Sequence, residues 1–110
     1  MKKKRTKKNA KDELLAVPDR TDARVGGVCV SMAGHDAGLY LVIVAGIDCG
    51  HVLVADGKTR KLLSPKKKKM RHLSIVSKLS EAQTEAIRKG TANDSFLRRA
   101  ISSLPKASQN

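Results

Sequence analysis

Aromatic side chains are almost missing from this chain: its 110 residues include one Tyr, one Phe and no Trp. Recognition that stacks bases on aromatic platforms therefore has very little to work with. Acids are also scarce, 10 Asp and Glu against 23 Lys and Arg, which leaves a net charge of +13. That excess goes well beyond what solubility requires and points to a polyanionic partner: RNA, DNA or an anionic lipid surface. No apolar run approaches the roughly 18 to 20 residues that span a bilayer, so membrane is the weakest of the three. The basic start Met1-Lys2-Lys3-Lys4-Arg5 is not followed by the apolar segment a secretory signal needs. A cytoplasmic location is therefore expected. The only two cysteines, Cys29 and Cys49, are expected to be reduced thiols rather than a disulfide framework.

What is present divides into three textures. Residues 1–11 carry seven Lys or Arg and no acid, a self-repelling block expected to be a disordered arm when free. Asp12-Glu13-Leu14-Leu15-Ala16 is compatible with a helical turn that Pro18 ends. The flexible arm is therefore placed over residues 1–23. From Val25 onward, short β-branched and apolar runs alternate with turn signals. The runs are Val28-Cys29-Val30, Leu39 to Val44, and His51-Val52-Leu53-Val54. The turns fall at Gly34 to Gly38, Asp48-Cys49-Gly50 and Asp56-Gly57-Lys58. Asp56-Gly57 suits a tight hairpin. Leu62-Leu63 and Leu73-Ser74-Ile75-Val76 are the candidate closing strands, with Ser64 to Arg71 read as an exposed basic loop between them. Short strands at this spacing predict an all-β core, a small barrel of about five strands over residues 24–77.

The last segment, 78–110, switches to helical period. Ser80-Glu81-Ala82-Gln83 has the form of a capping box, and Gly90 after Arg88-Lys89 is a stop signal. Ala82, Ala86 and Ile87 share one face of that predicted helix. Asn93 or Asp94 then caps a second helix carrying Phe96, Leu97, Ala100, Ile101 and Leu104, ended by Pro105. Its apolar stripe is expected to pack on the barrel, with docking to a protein partner as the alternative.

The stretch from Val25 to Leu73 resembles the KOW motif, the strand, Gly-loop, strand unit of ribosomal and transcription-elongation proteins. Within that group it is similar to the bacterial proteins that resemble ribosomal protein L14e. Gly34, Gly38, Asp56, Gly57 and the Pro65 to His72 segment carry the likeness, with the second loop glycine of the motif falling on Gly38. Gly27, where a larger residue is usual, and Thr91 to Asp94 depart from it. The resemblance implies an SH3-like barrel that binds ribosomal RNA on or near the large subunit, with ribosomal proteins as further neighbours. Composition alone reaches only a basic β-barrel that binds polyanion.

The physical basis for an RNA contact lies in the glycine loop and its basic surroundings. Gly34 and Gly38 let the loop turn sharply and let its backbone approach another backbone, so that loop N–H groups meet phosphate oxygens. His35 on the same loop can donate to phosphate or stack on a base or sugar. Lys58, Arg60 and Lys61, then Lys66, Lys67, Lys68, Lys69, Arg71 and His72, supply charge, and neutralised phosphates release counterions. The bland reading of the four lysines is a solvated edge that discourages aggregation; a nuclear-targeting signal is another.

No cofactor and no metal are expected. Cys29, His35, Cys49 and His51 fit none of the zinc spacings, and a Cys–His nucleophile would lack an oriented base and an oxyanion site. Asp36, Asp48 and Asp56 fall at turns, where local backbone bonding is the expected role. An enzyme is the least favoured class. The competing readings are a transcription-linked KOW module, whose known forms carry a second α/β domain this chain has no room for, and a general nucleic-acid-binding or chaperone protein. A methyl-lysine reader would need an aromatic cage that Tyr40 alone does not build.

Overall fold

The computed structural model describes residues 17–104. The basic block at 1–11, the turn expected at 12–16 and Pro105 lie outside the described residues. Five strands form one antiparallel sheet: β1 Gly27–Ser31, β2 Tyr40–Asp48, β3 His51–Ala55, β4 Lys66–Lys69 and β5 Leu73–Lys78. A 3-10 turn over Met70–His72 joins β4 to β5, and two helices follow, α1 Glu81–Lys89 and α2 Asp94–Ser102. The sheet order is β4-β3-β2-β1-β5. Four consecutive strands thus form a meander, and β5 crosses back to pair with β1.

In β1, β2 and β3 period-2 alternation buries both faces rather than one. In β2, Leu41 and Ile43 join Cys29, Val52, Val54 and Leu73 in one apolar cluster. Val42 and Val44 point the other way, into a second cluster with Val25, Val28, Ala55, Leu79, Ile87, Leu97 and Ala100. The helices therefore cover one face, while Leu39 and Met70 pack against the cluster on the other. Each fully buried Leu, Ile or Val contributes about 1.5–3 kcal/mol, so the doubled core suits a chain with so few aromatics.

The helical segment is capped as its residues predict. Ser80 Oγ accepts from Gln83 N–H and the Gln83 side chain accepts from Ser80 N–H, a full capping box. Gly90 takes the left-handed conformation at the end of α1. Asn93, rather than Asp94, caps α2, its Oδ1 accepting from Phe96 N–H at 2.9 Å. Asp94 instead reaches across to the Leu62 N–H at 2.7 Å. Helix α2 stops at Ser102, and Leu104 packs beside the core from beyond its end. The α2 stripe does pack on its own sheet. On α1 the buried positions are Thr84 and Ile87, whereas Ala82 is exposed.

Several expectations fail, each for a non-local reason. Leu62-Leu63 is no strand: Leu63 is 95% exposed in a connection that runs from Asp56 to Pro65. Asp56-Gly57 is accordingly not a two-residue hairpin, although Gly57 does adopt a positive φ of 80°. Its missing Cβ matters as well, because a side chain there would collide with the Asp94 carbonyl at the start of α2. The exposed basic loop is in fact β4, paired with β3 through Val52↔Lys68 and its neighbours. At the N-terminal side, residues assigned to the flexible arm are tied to the sheet. Asp19 forms a bridge with Gly46, exchanging N–H to O bonds of 2.8 and 2.9 Å.

Candidate nucleic-acid interface

The loop between β1 and β2 is short and internally bonded. Gly38 N–H donates to Ser31 O at 2.8 Å, Leu39 N–H to Asp36 O at 2.9 Å, and Ala37 N–H to Gly34 O at 3.2 Å. Gly34 and Gly38 both sit at positive φ, 77° and 89°, where glycine alone is unstrained. Both are exposed, as is His35. Met32 N–H is also taken, donating to His72 O at 2.8 Å. Any loop-amide contact with an anion is thereby confined to residues 33–36, a narrower set than the loop as a whole.

Asp36 departs most from its sequence reading. It is only 2% exposed and is no local turn-former at its carboxylate. Arg60 donates through Nη2 at 3.1 Å and Nε at 3.2 Å, and Lys68 Nζ lies 3.3 Å from Oδ2. Burial alone would raise the Asp36 pKa, but the Arg60 and Lys68 hydrogen bonds prevail and hold it below the usual carboxylate range. Two of the expected phosphate ligands, Arg60 and Lys68, are therefore engaged inside the protein. Lys68 Nζ also reaches Ala33 O at 3.5 Å, so β4 is tied to the glycine loop.

The pleat of β4 sorts its four lysines. Lys68 is buried and Lys66 half-buried, whereas Lys67 and Lys69 are exposed. Arg71 is exposed on the 3-10 turn and His72 half-buried beside it. Met70 N–H donates to Gly50 O at 2.9 Å. This makes 66, 68 and 70 the hydrogen-bonded positions and turns the main-chain groups of Lys67 and Lys69 away from β3. Lys58 and Lys61 are exposed on the Asp56 to Pro65 connection. There Asp56 Oδ1 accepts from Lys58 N–H at 2.9 Å and Arg60 N–H at 2.8 Å, the local bonding its turn position implies.

A shallow cleft of about 410 Å³ opens beside the end of β4, lined by Gly50, His51, Lys69, Met70 and Arg71. His51 was not among the expected contacts. Its Nδ1 pairs with Asp48 Oδ1 at 2.8 Å, and the Gly50 N–H donates to the same oxygen at 2.9 Å. These bonds hold the exposed Asp48 carboxyl below its ordinary pKa. The turn is braced from behind by Arg24, which donates to Asp48 O at 2.7 Å and Cys49 O at 3.1 Å while fork-bonded to Asp22. The Arg24 bonds bring the Asp22 pKa down to about 2. A signal for His51 did exist in its turn-ending position, but its meeting with Lys69 depends on strand register.

The thiols are separate. Cys29 is buried, and burial pushes its pKa up to about 11, while Cys49 is exposed on the β2–β3 turn. Among the described residues no group of three His, Cys, Asp or Glu side chains is placed to share a metal ion, and no helix is long and apolar enough to cross a membrane. No protein-family model matches this chain, and no curated protein matches it significantly.

Proposed function

We propose that this protein is a cytoplasmic, non-enzymatic RNA-binding protein, an SH3-like barrel of the KOW type whose target is structured RNA, ribosomal RNA of the large subunit above all. The observation that carries the reading is the sorting of its cations. Lys58, Lys61, Lys67, Lys69 and Arg71 are exposed, and among the described residues no carboxylate is ion-paired with them. Such a set is costly to hold together unless a polyanion neutralises it. Sheet order β4-β3-β2-β1-β5, with one 3-10 turn before β5, supports the barrel assignment. The exposed positive-φ glycines of the β1–β2 loop support the KOW assignment.

Titration of the full chain against a folded ribosomal RNA fragment at several salt concentrations tests the reading. Affinity is expected to fall roughly 10³-fold or more between about 50 and 200 mM salt. A flat response, or no binding at low salt, overturns it.

A further inference from the structure

Resting on that reading, we infer that the RNA element this protein grips is an unpaired, extended strand. It runs along the free edge of β4 and ends in the cleft lined by Gly50, His51, Lys69, Met70 and Arg71. Three observations converge. First, β4 is the outer strand of the sheet, and its bond pattern with β3 turns the Lys67 and Lys69 main-chain groups outward. The edge therefore offers N–H donors and ammonium groups at the same two residues.

Second, the spacing suits an extended backbone. Lys67 and Lys69 lie one pleat apart, roughly 6.6 Å along the strand. Phosphates of a duplex strand are spaced similarly through space but wind around the helix axis and leave a straight edge, whereas those of an extended strand stay in line with it. Third, the track leads into the shallow cleft of about 410 Å³. Lys69 and Arg71 supply its charge, and half-buried Met70 supplies an apolar floor for a sugar or base. His51 is fixed through Nδ1 by Asp48, which leaves Nε2 as the ring's second polar atom for a ligand. Lys68, turned inward to Asp36, takes no part in the contact and instead anchors the strand that presents it.

The test measures fluorescence anisotropy of two labelled RNAs with equal phosphate number, an unstructured oligouridylate and a fully paired hairpin stem. The full-length protein is compared with Lys67→Ser/Lys69→Ser and His51→Ala variants, each checked for an unchanged circular dichroism spectrum and Tm. The oligouridylate is expected to bind at least tenfold tighter than the stem. The double variant should lose about tenfold for the oligouridylate and lower its salt slope by about 1.4. His51→Ala should lose a fewfold for the oligouridylate alone.

Equal or tighter binding of the stem, with both variants weakening the two RNAs alike, overturns the extended-strand inference and leaves the RNA-binding proposal standing. Failure of both RNAs to bind at low salt overturns the proposal and the inference together. Displacement of the oligouridylate by polyglutamate as readily as by unlabelled oligouridylate makes the edge a site for an acidic peptide strand, and also overturns the inference.

Discussion

Asp36 on the β1–β2 loop and Lys68 on β4 meet at 3.3 Å, with the carboxylate 2% exposed and the ammonium 9%. This contact ties the glycine loop to the edge strand. It also removes one cation of a four-lysine run from the surface. The run Lys66–Lys69 is therefore part scaffold and part contact surface.

Asp36→Ala should be among the most damaging single changes in the chain. Removing one partner of a buried ion pair leaves the other charge uncompensated, at a cost of about 3 kcal/mol. Lys67→Ser, on the solvent side of the same strand, should stay within about 0.5 kcal/mol. Urea denaturation of the two variants checks this, and equal stabilities would refute the Asp36 assignment. Replacing all four lysines by Ser should lower stability too, because Lys68 goes with them.

The pH dependence follows from the same carboxylates. Asp36 and Asp22 have folded pKa values below their unfolded ones, Asp22 at about 2 against an ordinary 3.8. The unfolded chain therefore binds more protons in acid, and stability falls as pH falls. The contribution should be complete above the unfolded value, about pH 4. It should drain away as pH drops from there toward 2. Melting temperatures between pH 7 and 2 test this, and Asp36→Asn should flatten the acid limb.

Glycine substitutions should rank by what surrounds the missing Cβ. At Gly38 the φ is +89° but no atom lies within 4 Å of a built Cβ, so Gly38→Val should cost only backbone strain, about 1–3 kcal/mol. At Gly57 the φ is +80° and a Cβ would also strike the Asp94 backbone, so Gly57→Ala should cost more than Gly38→Ala. Chemical denaturation of the matched alanine variants decides the order.

Thiol titration should find one reactive cysteine in the native protein and two after denaturation. Cys49 is exposed, whereas Cys29 is both buried and held protonated at neutral pH, and the thiolate is the reactive form. A Cys49→Ser protein that still reacts rapidly would contradict the buried position of Cys29.

Much of the fold is legible in the residues themselves. Val28 to Val30, Leu39 to Val44, His51 to Val54 and Leu73 to Val76 announce four strands by composition and turn signals. Ser80 and Gln83 announce a helix start through a local hydrogen-bond exchange. Lys66 to Lys69 announces nothing of the kind, since lysine is a poor strand former. It becomes a strand because β3 offers an edge to pair with. Asp36 misleads for a related reason. Its loop position suggests a local acceptor, while its actual partners at positions 60 and 68 are brought to it only by the tertiary fold. The glycine loop and the exposed cations of the candidate interface can be read locally; which lysine is internal and why His51 joins Lys69 cannot.

The strand order described above also sets how much loop closure each pairing costs. Pairings β1–β2, β2–β3 and β3–β4 join neighbours along the chain, so their loops close at small entropic cost. The β1–β5 ladder joins Gly27 to Lys78 and Ser31 to Leu73, and Val25 shares a cluster with Leu97 and Ala100. Those distant pairings dominate the contact order and hence the folding barrier. The meander can therefore close early at small entropic cost, whereas β5 and the helices reach β1 only by closing a long loop.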